Sequence, residues 1–139
     1  MKYEFVKVDS DTTVLKYKDK EFKFIKDISL MVRLQSVNFN ARNNMIIDLA
    51  KKGLTTDNLI IKRVENGKKY EDQTSVRAME NNYLIKETLD LFNEICEKYT
   101  KMDLQELMND IGITEEEESK VFGAKLKEVI LGNNSPSEA

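Results

Sequence analysis

At 139 residues the chain is long enough for one domain that buries a core without disulfides or metals. Its 22 Lys and Arg against 25 Asp and Glu, a net charge of −3, give no global attraction to nucleic acid or anionic lipid. It has no His, no Trp, one cysteine and no glycine-rich turn of the kind that cradles phosphate, so the residue types that usually build catalytic sites are scarce and no enzyme is expected. The opening run MKYEFVKVDSD alternates charged and apolar residues. With no continuous apolar stretch it reads as neither a secretory signal nor a membrane span, and a cytoplasmic location is expected.

Tyr3, Phe5 and Val8, then Val14, Leu15 and Tyr17, then Phe22 and Phe24, stand between charged residues at mostly two-residue spacing. This predicts three strands. Asp9, Ser10 and Asp11 suit a loop, and Lys18, Asp19 and Lys20 a tight hairpin, so the strands should form an antiparallel meander. Lys16, Lys18, Lys20, Lys23 and Lys26 give it a basic edge. Such an edge is either a phosphate-contacting strip or a solvated face that resists edge-to-edge pairing, and the second reading is the simpler.

After Asp27 the period changes. Leu30, Leu34, Val37, Ala41, Met45 and Leu49 follow at three- and four-residue steps up to Gly53, which suits a helix C-terminus. Asn38, Asn40, Asn43 and Asn44 weaken a helix interior, so the segment is one helix or two, with a break expected near Asn38 to Asn40. Asn66-Gly67 is the preferred central pair of a type I′ turn. Counting outward pairs Glu65 with Lys68, Arg63 with Tyr70 and Lys62 with Glu71, which predicts an exposed hairpin near 59–71. It is either a plain surface element or an arm for strand addition to a partner.

From Thr74 onward the pattern is helical. Ile85, Leu89, Phe92, Cys96 and Tyr99 make a stripe that Leu84, Leu91 and Ile95 widen, so this long helix should be central to the core. The same spacing could form a dimer seam, but it lasts only about two heptads. Cys96, among Phe92, Ile95 and Tyr99, reads as a small buried hydrophobe. Asp103 with Glu106 forms a capping box, Gly112 ends that helix, and Thr114 with Glu117 forms a second box. The expected fold is therefore α+β: an N-terminal meander, an additional hairpin near 59–71 and a predominantly helical C-terminal half. Residues 1–131 are expected to form a single domain, and 132–139, with the only proline, a disordered tail.

The run LQELMNDIGITEEEESKVF resembles a helix-turn-helix, with Leu107, Ile111 and Ile113 around Gly112 and Val121 on the second helix. Glu115, Glu116, Glu117 and Glu118 occupy the segment that would enter the major groove, where carboxylates oppose binding to phosphate. The same glutamates suit a helix N-terminus. No segment has the ligand spacing of an EF-hand, and no metal or cofactor is expected.

The hairpin VLKYKDKEFKF, the helix ETLDLFNEICEKY, the acidic pair MDLQELMNDIGITEEEE and the polar end LGNNSPSEA together resemble a tail assembly chaperone of long-tailed bacteriophages of Gram-positive bacteria. The resemblance implies a small non-enzymatic protein in the host cytoplasm that binds the tape measure protein and recruits tail tube subunits. It implies no catalytic residues, and the hairpin around Asn66-Gly67 departs from its pattern. Met102, Leu107, Met108, Val121 and Phe122 are the expected client surface, because flexible thioethers and apolar helix residues suit a variable client. A small DNA-binding regulator and a self-assembling structural or adaptor protein are the alternatives, and a homo-oligomer is compatible with each.

Overall fold

The computed structural model describes residues 2–132, so beyond Gly132 the expected tail lies outside the described residues. The architecture is α+β, with an N-terminal meander, a separate hairpin and a helical C-terminal half. The chain divides into two compact units, Met1–Gln35 with Leu89–Ala139, and Ser36–Thr88.

In the first unit, β1 (Glu4–Lys7), β2 (Thr12–Tyr17) and β3 (Lys20–Ile25) form an antiparallel sheet in the order β1-β2-β3. Tyr17 pairs with Lys20, so the tight turn expected at Lys18 to Lys20 is the two residues Lys18 and Asp19, with Lys18 at φ 51°. Alternation along β2 and β3 sends Leu15, Tyr17 and Phe24 inward and their charged neighbours outward. Asp27 then starts α1 (Ile28–Gln35) by accepting the N–H groups of Ser29 and Leu30 on Oδ1, at 2.9 and 3.3 Å.

Three helical segments complete this unit: the end of α3 (Thr74–Thr100), α4 (Leu104–Ile111) and α5 (Glu116–Leu131). α3 belongs to both units, its residues 74–88 to the second and the remainder to the first. Leu91, Phe92, Ile95 and Cys96 from α3, Leu107 from α4, and Phe122 and Leu126 from α5 meet the sheet in one core. Tyr3 lies edge-on to Phe122 at 5.1 Å between ring centroids, a favourable aromatic geometry.

The caps of α4 follow the sequence. Asp103 Oδ1 accepts the Glu106 N–H at 2.8 Å, the Glu106 carboxylate accepts the Asp103 N–H at 3.1 Å, and Gly112 ends the helix at φ 99°. The second box is not formed between Thr114 and Glu117. α5 starts one residue later, with Glu115 as N-cap and no side-chain cap, and the Glu118 carboxylate accepts from Lys2. Four consecutive glutamates offer equivalent registers, and Lys2, 3.1 Å from Glu118, favours this one.

The second unit contains α2 (Val37–Lys51), a 3-10 turn at Thr56–Leu59, the hairpin of β4 (Ile61–Glu65) and β5 (Lys68–Asp72), and the first part of α3. The break before α2 lies at Ser36, earlier than Asn38 to Asn40. Asn38, Asn40, Asn43 and Asn44 are all exposed, and the Asn44 amide donates to Glu87 rather than competing for the helix backbone. Gly53, at φ 74°, ends α2 in a Schellman arrangement: its N–H reaches Ala50 O at 3.0 Å and the Leu54 N–H reaches Leu49 O at 2.9 Å. Ile85 and Leu89, expected in the core stripe of α3, are 50% and 45% exposed. Of the other residues of that stripe, Leu91, Phe92, Ile95 and Cys96 are buried as expected.

Candidate protein-binding surface

The second unit is thinly cored. Among its described residues, the buried apolar side chains are Ala41, Met45 and Leu49 of α2 and Val76 of α3. Against these four, α2 exposes Phe39, Ile46 and Ile47, the chain after it Leu54, the hairpin Ile61, Val64 and Tyr70, and α3 Ile85. At 3.6 residues per turn, Phe39, Ile46 and Ala50 fall about 120° around α2 from Ala41, Met45 and Leu49. A helix with apolar residues on two separate faces is normally covered on both.

The hydrogen bonds and ion pairs between α2 and the first part of α3 are mostly exposed. Arg42 pairs with Glu80 at 2.9 Å, the Tyr83 hydroxyl donates to Asp48 at 2.7 Å, and the Asn44 amide donates to Glu87. Exposed pairs of this kind fix orientation and contribute little stability. Few apolar side chains of this unit are fully buried, while eight of its large ones are exposed.

The hairpin has the register read from its turn. Glu65 faces Lys68, Arg63 faces Tyr70 and Lys62 faces Glu71, with Asn66 at φ 51° and Gly67 at φ 77° as a type I′ turn requires. Every residue of β4 and β5 is exposed, and the sheet has two strands only, so the outer edge of each carries unpaired backbone groups. The Arg63 guanidinium sits over the Tyr70 ring at 5.7 Å, and Lys62 reaches Asp57 at 3.1 Å. An isolated two-stranded hairpin is marginal in water, and docking on a partner would stabilise it.

The five residues expected to meet a client are placed differently. Leu107 and Phe122 are wholly buried, Met108 is 8% exposed, and Met102 is half-buried against the same core. In this conformation α4 and α5 use these side chains to hold the first unit together, and of the five only Val121, 50% exposed, lies open to a partner. Nothing in the sequence marks Phe39, Ile46 and Ile47 as a surface except their placement outside the main apolar face of the same helix.

The other candidate chemistries resolve into structural contacts. Lys20 Nζ lies 2.6 Å from the Asp110 carboxylate, which also accepts the Tyr17 hydroxyl at 2.6 Å, and Lys18 Nζ donates to Asp110 O at 2.7 Å. Lys20 above all, then Tyr17, holds the Asp110 carboxyl below its ordinary range. Two lysines of the basic edge are thus turned onto α4. At the start of α5, Lys120 lies within 4 Å of Glu116 and Glu117, and Lys2 bonds Glu118, so the segment a helix-turn-helix would offer to DNA remains acidic. Burial pushes the Cys96 thiol up to about 12, which leaves it in the unreactive protonated form. Among the described residues no group of three His, Cys, Asp or Glu side chains could hold a metal, and no helix is long and apolar enough to cross a membrane.

No protein family, curated protein or solved structure matches this chain. The functional reading therefore rests on the surface itself and on the resemblance of pattern noted in the sequence.

Proposed function

We propose that this chain is a non-enzymatic assembly chaperone of the long-tailed phage type, working in the host cytoplasm, with the second unit as its client-facing part. The observation that carries the reading is the excess of exposed over buried large apolar side chains within Ser36–Thr88. A surface of that composition is stable in a working complex and a liability outside one.

The client implied by the resemblance is a tape measure protein, a long helical chain prone to aggregate before a tube surrounds it. Ile61, Val64 and Tyr70 would cover apolar residues along it, and the open edges of the hairpin would add backbone hydrogen bonds. Tail tube subunits would displace the chaperone by burying the same client residues over a larger area. Exposed aliphatic side chains on an exposed hairpin bind with modest affinity, which such exchange needs.

The test is co-expression with a long, helix-rich tape measure protein of a long-tailed phage. The wild-type chain should raise the soluble fraction of that protein severalfold, and the Ile61→Lys, Val64→Lys double variant should lose the effect while keeping its own helical spectrum. An unchanged client yield with the wild-type chain, or duplex DNA binding with a steep salt dependence, would overturn the reading.

A further inference from the structure

We infer that the outer edge of β5 is a homodimer contact, in which β5 of a second copy adds antiparallel to it around a twofold axis at Tyr70 and joins two hairpins in one four-stranded sheet. The inference rests on the reading of the second unit as a protein-binding surface and names the occupant of one hairpin edge. The β4 edge stays open to a client.

The backbone limits the registers first. In a two-residue hairpin the pair flanking the turn, here Glu65 and Lys68, exchanges both backbone hydrogen bonds, and such pairs recur at every second position. Lys68, Tyr70 and Asp72 therefore turn their N–H and C=O groups towards β4. Lys69 and Glu71 turn theirs outward, and no other hydrogen bond of the described residues takes them up. A second β5 can add about a twofold axis only where outward groups meet outward groups, which places the axis on a residue and not between two.

Charge then selects the residue. An axis at Lys69 would set two ammonium groups against each other, and one at Glu71 two carboxylates. An axis at Tyr70 pairs Lys69 with Glu71 of the second copy, Lys68 with its Asp72 and Tyr70 with its Tyr70. Both outward residues then find partners inside the strand, and every charged pair is of opposite sign. The matching register on β4, about Arg63, would bring two guanidinium groups together, so the two edges of the hairpin are not equivalent. A client strand would need this same order of charges reversed, whereas a second copy carries it by symmetry. Arg63 already sits over the Tyr70 ring at 5.7 Å, and the paired tyrosines extend that contact across the axis. The added strands also supply what a lone hairpin lacks for stability in water.

The contact is short and mostly polar, so association should be weak, and sedimentation equilibrium of the full chain from about 10 μM to about 1 mM tests it. The wild-type chain should move from 16.1 kDa towards twice that mass as concentration rises. Lys69→Glu places carboxylates side by side across the axis and should weaken association at least about tenfold. Within its own hairpin that position faces only Val64, so cross-strand NMR contacts between Arg63 and Tyr70 should persist. Adding Glu71→Lys to Lys69→Glu restores opposite charges and should restore the dimer. Tyr70 and its copy form a non-hydrogen-bonded pair with Cα atoms about 4.5 Å apart, within reach of a disulfide. Cys96 is buried, so mild oxidation should give a covalent dimer for Tyr70→Cys and none for Lys127→Cys. A wild-type monomer throughout the range, or a dimer that Lys69→Glu does not weaken and Tyr70→Cys does not trap, would overturn the inference. Client solubilisation by a monomeric Lys69→Glu variant would leave the chaperone reading standing, so the two claims fail separately.

Discussion

Asp110 gathers a phenol, an ammonium and, through its carbonyl, a second ammonium. Its carboxyl lies below the ordinary 3.8, with Lys20 as the first cause, and Asp27 is lowered likewise, first by Lys98. A carboxyl that is more acidic when folded takes up protons more readily in the unfolded chain. The stability it contributes is therefore present above pH 3.8 and is lost as pH falls below it. Chemical denaturation at pH 6 and pH 3 should show lower stability in acid, and Asp110→Asn should flatten that dependence. A variant as acid-sensitive as the wild type would contradict the assignment. At Cys96 the expected outcome is kinetic: a thiol reagent at pH 8 should leave the native protein unmodified and label it fully in denaturant. The burial of Cys96 was legible because its apolar neighbours lie within one helical turn. The fate of Lys20 was not, since its partner is 90 residues away and no local pattern records it.

Turns and caps carried the most readable information in the elements. Asn66-Gly67 sets the register of β4 and β5 residue by residue, and Asp103 with Glu106 and Gly112 bounds α4, because each depends on a few consecutive residues and one backbone geometry. The start of α5 and the break at Ser36 were harder to read: four glutamates allow several registers, and asparagines weaken a helix only when their side chains turn to the backbone. The hairpin gives a sharp expectation. A Cβ added at Gly67 meets nothing within 4 Å, so Gly67→Ala should cost only the left-handed backbone strain, about 1 kcal/mol. That loss should show as weakened cross-strand contacts between Arg63 and Tyr70 in NMR spectra, with the melting of the first unit unchanged. Phe122→Ala, by contrast, empties a wholly buried site and should lower the stability of that unit by about 3–5 kcal/mol.

Across the whole molecule, apolar periodicity identified which segments are helices and strands but not which faces would be left open. Phe122 and Phe39 occupy similar helical patterns, yet one is the centre of a core and the other is 68% exposed. The difference lies in which elements pack against each helix, and periodicity within one segment does not contain it. The same contrast separates the units energetically. A core reaching from Tyr3 to Ile130 supports the first, whereas Ala41, Met45, Leu49 and Val76 support the second. Local opening should therefore be cheaper within Ser36–Thr88.

Hydrogen exchange, followed in the free chain and in the complex co-expressed with its helical client, tests the central claim most directly. Amides of residues 36–88 should exchange faster than those of the first unit in the free chain and slow markedly in the complex, with β4, β5 and α2 among them. Protection confined to residues 103–131, or none on complex formation, would contradict the assignment of the second unit as the binding surface.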